Sequence, residues 1–196
     1  MKEAGFRGIS LGVETGSDRI MKVIKKGERV EDNVRAAKMA KDMGFKVRGS
    51  FIIGLPTESR EESLETIRLA LRLPLDFAMF NLPIPFPGTE LYEIAKREGN
   101  RYLDFSGFDA LDGLLKRQAV YVPVGRSEKE LARLQRRAYF RFYSRPRQVL
   151  SFFRKGLPEL DLEEFSLLER LKVGCRIVRR LLKRASGPPG ARGRTE

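Results

Sequence analysis

Three short segments hold the residues that could bind or transform a ligand. The first is Gly12-Val13-Glu14-Thr15-Gly16-Ser17-Asp18, a carboxylate and a glycine turn placed before a helix start. Such a joint offers an acceptor for sugar hydroxyls beside backbone N–H donors for an anion. Lys26 follows twelve residues after Glu14. The second is Gly49-Ser50-Phe51-Ile52-Ile53-Gly54-Leu55-Pro56-Thr57-Glu58, where glycine in an apolar strand lets the backbone come close to a flat ligand. Ile52 and Ile53 point to opposite faces of that strand. The third is Asn81-Leu82-Pro83-Ile84-Pro85-Phe86-Pro87-Gly88-Thr89-Glu90-Leu91-Tyr92, a stiff extended loop whose prolines donate no amide hydrogen, with Thr89 capping a helix. Each segment taken alone also has a plain reading: a capped strand–helix joint, a core strand with a stop, and a rigid connector.

The elements that would position these segments follow from periodicity. Gly8–Val13 alternates as a short strand, and Ser17 caps a helix expected to run to about Lys26, with Gly27 ending it. A second helix is expected over Val30–Met43, a buried strand over Val47–Leu55, and a helix from the Ser59/Glu62 capping box to about Leu73. Phe77–Leu82 reads as a third strand, and Thr89–Arg97 as a short helix. Helical crossovers between strands argue for a parallel sheet with helices outside it. All three chemical segments then lie at C-terminal strand ends, where parallel α/β folds bind ligands. Three such strands leave edges to be covered, as in half of a barrel or one wing of a larger sheet, and poor solubility of the unit alone is expected. After residue 100 the pattern changes to a strand candidate over Ala119–Val124, arginine-rich helices and a Gly/Pro-rich tail. The expected division is 1–99 for the α/β unit, 100–185 for a basic helical extension and 186–196 for a disordered tail.

Composition narrows the chemistry. The 196 residues contain no histidine and one cysteine, Cys175. Zinc sites of the usual kind, imidazole bases and an internal disulfide are thereby excluded within this chain. The apolar runs are too short to span a bilayer, and no apolar leader core follows Met1, so a cytoplasmic protein is expected, with peripheral membrane contact an option. Of the net charge of +13, +11 lies in Arg126–Glu196. There, Arg133, Arg136, Arg137, Arg141, Arg145 and Arg147 interleave with Tyr139, Phe140, Phe142 and Tyr143, and Leu167–Arg184 reads as a basic amphipathic helix. A helical cap with its arginines in water is the first reading. An anionic membrane surface comes second, and nucleic acid third.

In this order and spacing, GVETGSD, KVRGSFIIGLPTES and PIPFPGTELY resemble the fourth, fifth and sixth strands and loops of the radical S-adenosylmethionine (SAM) barrel. The likeness is to the branch often carrying a cobalamin-binding domain, and to methylthiotransferases; RRAYFRFYSRPRQVL resembles a segment that follows the barrel there. The resemblance covers about residues 5 to 155. It implies a fold that is part of a (βα) barrel followed by a mostly helical basic extension. It implies SAM as cofactor, a [4Fe–4S] cluster, cobalamin as a further option, and a small-molecule or lipid-like substrate. It further implies that Glu14 is a polar contact to SAM, with Ser17 at the adjoining helix start and Lys26 reaching the SAM carboxylate or ribose. Ser50 would meet the ribose, Ile52 and Gly54 the adenine face, and the backbone from Leu82 to Ile84 the adenine edge. None of these would be a catalytic acid or base. The family's CxxxCxxC cluster loop is not among these residues. Cys175 has no partner cysteine, so the chain alone is expected to be inactive, and the first half of the barrel becomes its expected partner. The rival reading is a non-catalytic half-barrel that docks on membrane or nucleic acid through its basic helices.

Overall fold

The computed structural model describes residues 1–98 and 121–155. Cys175, the Leu167–Arg184 helix, the tail and residues 119–120 of the strand candidate lie outside them. Nine elements can be placed: β1 (Gly8–Glu14), α1 (Asp18–Val23), α2 (Val30–Asp42), β2 (Lys46–Ile52), α3 (Arg60–Arg72), β3 (Phe77–Asn81), α4 (Glu90–Glu98), α5 (Glu128–Tyr143) and α6 (Pro146–Lys155). The strands form one sheet in the order β1-β2-β3 with both pairings parallel, so the α/β class and the crossover pattern are as expected. The chain divides into two compact units, Met1–Phe142 and Tyr143–Glu196, so nearly all of α5 belongs with the sheet. In the second unit the described element is α6.

One face of the sheet is buried and the other is open. Val47, Gly49 and Phe51 of β2 and Ala78 and Phe80 of β3 are buried, whereas Arg48, Ser50 and Ile52 alternate with them at partial exposure. Period-2 alternation sends these two sets to opposite faces. The buried set packs with Ala37 and Ala40 of α2, Ile67, Leu69 and Ala70 of α3, and Leu131, Leu134, Ala138 and Phe142 of α5. Phe80 is the aromatic centre: it stacks on Phe51 at 5.2 Å between ring centroids and meets Tyr139 edge-on at 5.3 Å.

Local sequence explains the helix starts. Ser59 Oγ accepts from the Glu62 N–H at 3.1 Å, and the Glu62 carboxylate accepts from the Ser59 N–H at 2.9 Å, closing a capping box on α3. The same carboxylate takes the Ser17 hydroxyl at 2.8 Å and the Arg19 guanidinium at 2.6 Å, tying α1 to α3. The hydrogen bond from Arg19, joined by those from Ser59 and Ser17, holds the Glu62 carboxyl down at about 2 against the opposing effect of burial. Gly16 is needed beneath this joint. A Cβ there would lie 2.7 Å from the backbone of Glu65 and Thr66, while the Gly16 N–H donates to Thr66 Oγ1 at 2.9 Å.

The outer edge of β3 is covered by α5. Phe80 offers both backbone groups to that edge: its N–H donates to the Tyr139 hydroxyl at 3.1 Å, and its carbonyl accepts from Gln135 Nε2 at 2.7 Å. A helix thereby satisfies a strand edge that would otherwise invite another strand. Tyr121–Pro123, where the end of a strand was expected, are buried but not in a strand; Tyr121 donates its hydroxyl to Glu98 Oε2 at 2.7 Å. No described helix is long and apolar enough to cross a membrane.

Candidate functional site

At the C-terminal ends of β1 and β2 lies a cleft of about 310 Å³. Val23 and Ile24 wall it from the segment after β1, Ile52, Leu55 and Pro56 from β2 and its loop, and Leu91 and Ile94 from α4. Glu14, Lys26 and Glu90 are its charged lining. Its size and apolar walls with a few polar groups fall within the usual range for small-molecule sites.

Two departures from regular backbone aim the charged pair. The β1–β2 register slips between Gly12 and Glu14, and Glu14 takes φ 60°, a conformation that costs a non-glycine residue about 1–2 kcal/mol. Its side chain folds back over Gly12, where an added Cβ would lie 2.6 Å from Glu14 Oε1 and 3.2 Å from Lys26 Nζ. Lys26 arrives because α1 stops earlier than the expected Lys26: Ile24 is the C-cap and Lys25 stands at φ 54°. The Lys25 N–H bonds to the Lys22 carbonyl and the Lys26 N–H to that of Met21, a Schellman turn with lysine in the glycine position. This turn sends Lys26 back to Glu14, Nζ to Oε1 3.5 Å, with side chains 29% and 20% exposed. At the mouth, Lys25 pairs with Glu90 at 2.8 Å.

Of the residues singled out from sequence, Glu14, Lys26 and Ile52 come together in the cleft. Ser50 stands beside them, level with Gly12 across the sheet, and its hydroxyl accepts from Asn81 Nδ2 at 3.3 Å. Ser17 does not line the cleft: it is buried, and its hydroxyl serves Ile20 N–H and Glu62. Gly54, at φ 91°, donates its N–H to Glu58. Leu82 is in the core and Ile84 is half-buried, neither among the cleft walls. Leu91 belongs to the third segment, but the apolar wall it forms with Ile94 on α4 carries no sequence signal beyond helical spacing after the proline loop.

Glu58 was also given no role. It is 2% exposed, and its Oε2 accepts from the N–H groups of Gly54 and Leu55, the latter at 3.0 Å. Burial pushes its carboxyl up to about 7, against the two backbone bonds and the Arg126 guanidinium that favour the anion. Arg126 also donates to the Glu58 carbonyl at 2.9 Å. Glu58 thus pins the turn that presents Leu55 and Pro56 to the cleft.

Chemically, the cleft offers a carboxylate and an ammonium for a ribose or a zwitterionic tail, and apolar walls for a flat ring. Among the described residues no group of Cys, His, Asp and Glu is placed to hold a metal.

Residues 1–70 match the family profile described as the Radical SAM superfamily. An "Uncharacterized methyltransferase" of Pyrococcus horikoshii is 34% identical over 76% of this chain and 32% of its own length. A "Putative methylthiotransferase" of Methanocaldococcus jannaschii is 43% identical over 42% of this chain and 18% of its own. Among solved structures, the Methanocaldococcus infernus Elp3 with an N-terminal deletion gives a TM-score of 0.49 at 20% identity, covering 79% of this chain and 42% of that one. The chain spans about a third or less of the length of these two curated relatives. Over residues 1–70, from β1 into α3, this chain matches the radical SAM superfamily.

Proposed function

We propose that this chain furnishes the SAM-binding side of a radical SAM active site. The observation that carries the reading is the cradle over Gly12. A missing Cβ there makes room for Glu14 and Lys26 at the mouth of an apolar cleft sized for a nucleoside. Glu14 and Ser50 would meet the ribose, Lys26 the SAM carboxylate, and Ile52 with the α4 residues the adenine. On this reading the chain's work is binding and orientation.

In a complete enzyme a thiolate-held [4Fe–4S] cluster supplies the electron for reductive cleavage of SAM. The described residues do not fit such a cluster, and the sequence holds a single cysteine. The cluster would therefore be held by the first half of the barrel, on the same or another chain, meeting the β1 edge and the open face of the sheet. The cleft is too small for a corrin as well, so cobalamin would be held elsewhere. Relatives named as a methyltransferase and a methylthiotransferase support transfer of a methyl or methylthio group as the overall outcome. A small-molecule or lipid-like substrate would enter over Arg48, Ser50 and Met79 on the open face.

The test is saturation-transfer NMR of SAM with the protein, compared with G12A and E14Q. In G12A the new methyl group displaces the Glu14/Lys26 pair without touching the core. Both variants should keep the far-UV circular dichroism of the wild type and weaken SAM binding on the order of tenfold, the worth of one charged hydrogen bond. Equal transfer in all three proteins would remove the cleft from consideration as the SAM site.

A further inference from the structure

The exposed side of α5 carries a charge pattern that neither the fold nor the cleft uses. Leu131, Leu134, Gln135, Ala138 and Phe142 are buried on one side of this helix. The opposite side presents Lys129, Arg133, Arg136, Arg137, Phe140 and Arg141, all exposed, over about 18 Å of helix. None of these five cations has a carboxylate partner among the described residues. The acid between them, Glu130, is engaged by Arg126 at 3.0 Å and by Arg60 at 3.7 Å. Beside the stripe, Arg60, Arg133 and Arg137 line a groove of about 320 Å³ with Leu134 at its base and the engaged Glu130 on its wall.

This arrangement disfavours the helix it sits on. Lys129–Arg133, Arg133–Arg137 and Arg137–Arg141 are like charges one turn apart, and each such pair opposes helix formation. Phe140, 64% exposed, stands among them. We propose that this face of α5 binds single-stranded nucleic acid, the arginines contacting successive phosphates and Phe140 stacking on a base. Cationic tracks interleaved with an exposed aromatic ring suit that ligand. A lipid surface suits this face less well, because a helix lying on a membrane must give its apolar side to the lipid, and α5 spends that side on the sheet.

Fluorescence anisotropy of a labelled twelve-nucleotide single-stranded RNA, titrated with the full chain at several salt concentrations, tests this. R133E/R137E should weaken binding more than tenfold and lower the salt slope by about 1.4, two phosphate contacts' worth for a single strand. F140A should weaken it on the order of tenfold through lost stacking. K38E/R72E makes the same change of charge on α2 and α3 and should cost less than threefold. The milder R133A/R137A, with thermal melting of every variant, separates lost binding from lost folding. Equal loss in K38E/R72E, unchanged binding in R133E/R137E, or a loss confined to the charge variants with F140A unaffected would each overturn the assignment. So would binding of phosphatidylserine vesicles through these residues with no RNA binding. The readout does not involve SAM, so its outcome is separate from that of the cleft.

Discussion

Glu58 gives the sharpest quantitative test of the structure, because a buried carboxyl pulls against the elements that hold it. Its ordinary value of 4.5 is raised to about 7 by loss of water, despite two backbone N–H donors and a nearby guanidinium. The folded protein then binds this proton more tightly than the unfolded chain does. By linkage, stability falls as pH climbs through the window from 4.5 to 7, and is level on either side of it. Between pH 5 and pH 8 the loss is about 2.5 kcal/mol. E58Q keeps an oxygen for the Gly54 and Leu55 N–H groups and removes the ionisation. Urea unfolding followed by circular dichroism at both pH values, on wild type and E58Q, isolates the group. The free-energy difference between the two proteins should move by about 2.5 kcal/mol in favour of E58Q as pH rises, a relative midpoint shift of about 1 M urea. Parallel pH profiles would refute the claim that Glu58 titrates in the folded state near neutrality. A relative change in the opposite direction would mean that Arg126 outweighs burial.

Two further outcomes follow from the packing. G16A should destabilise the first unit by about 1–3 kcal/mol in the same urea assay, because its Cβ meets α3 backbone that cannot step aside. Y139F leaves the Phe80 N–H without its acceptor and Q135L leaves the Phe80 carbonyl without its donor. Each should cost about 1–3 kcal/mol and raise amide exchange at the β3 edge, with a larger gain in self-association for the double variant than for either single change.

The parts of this fold legible in sequence are those set by local rules. The Ser59/Glu62 capping box, the alternation of β2 and the glycine turn after β1 all stand where periodicity and capping put them. The misplaced boundaries have tertiary causes. Gly27 looked like the end of α1, yet the turn falls at Lys25, where reversal brings Lys26 onto Glu14. The expected end of β2 at Leu55 gives way after Ile52, where Glu58 takes the N–H groups of Gly54 and Leu55 and turns the chain. Within the candidate site, Glu14, Lys26 and Ile52 were legible through the resemblance of the three segments taken together, not through the spacing of any one of them. Ser17 looked equally chemical, but its partner Glu62 is 45 residues away, and no local pattern announces that bond. Leu91, within the third segment, and Ile94 have no legible role as cleft walls, because an apolar pair on a short helix reads the same whether it faces a core or a ligand.

The two edges of the sheet are not equivalent, and that asymmetry bears on how the proposed site would be completed. At β3, both backbone groups of Phe80 are taken by Gln135 and Tyr139, and α5 is fixed there by Leu131, Leu134 and Phe142 in the core. A strand added on that side would have to displace a packed helix and leave those apolar side chains without a home. At β1, the one strand paired with it among the described residues is β2, and Ser10 is exposed. A partner supplying the remaining strands therefore meets less resistance at β1, the strand that also carries Gly12 and Glu14. Completion from that side would set new strand ends directly beside the Glu14/Lys26 pair, on the opposite side of it from Ile52. On the proposed reading, the same act that closes the sheet encloses SAM, so tight SAM binding should depend on assembly even though the cradle over Gly12 is already formed in this chain.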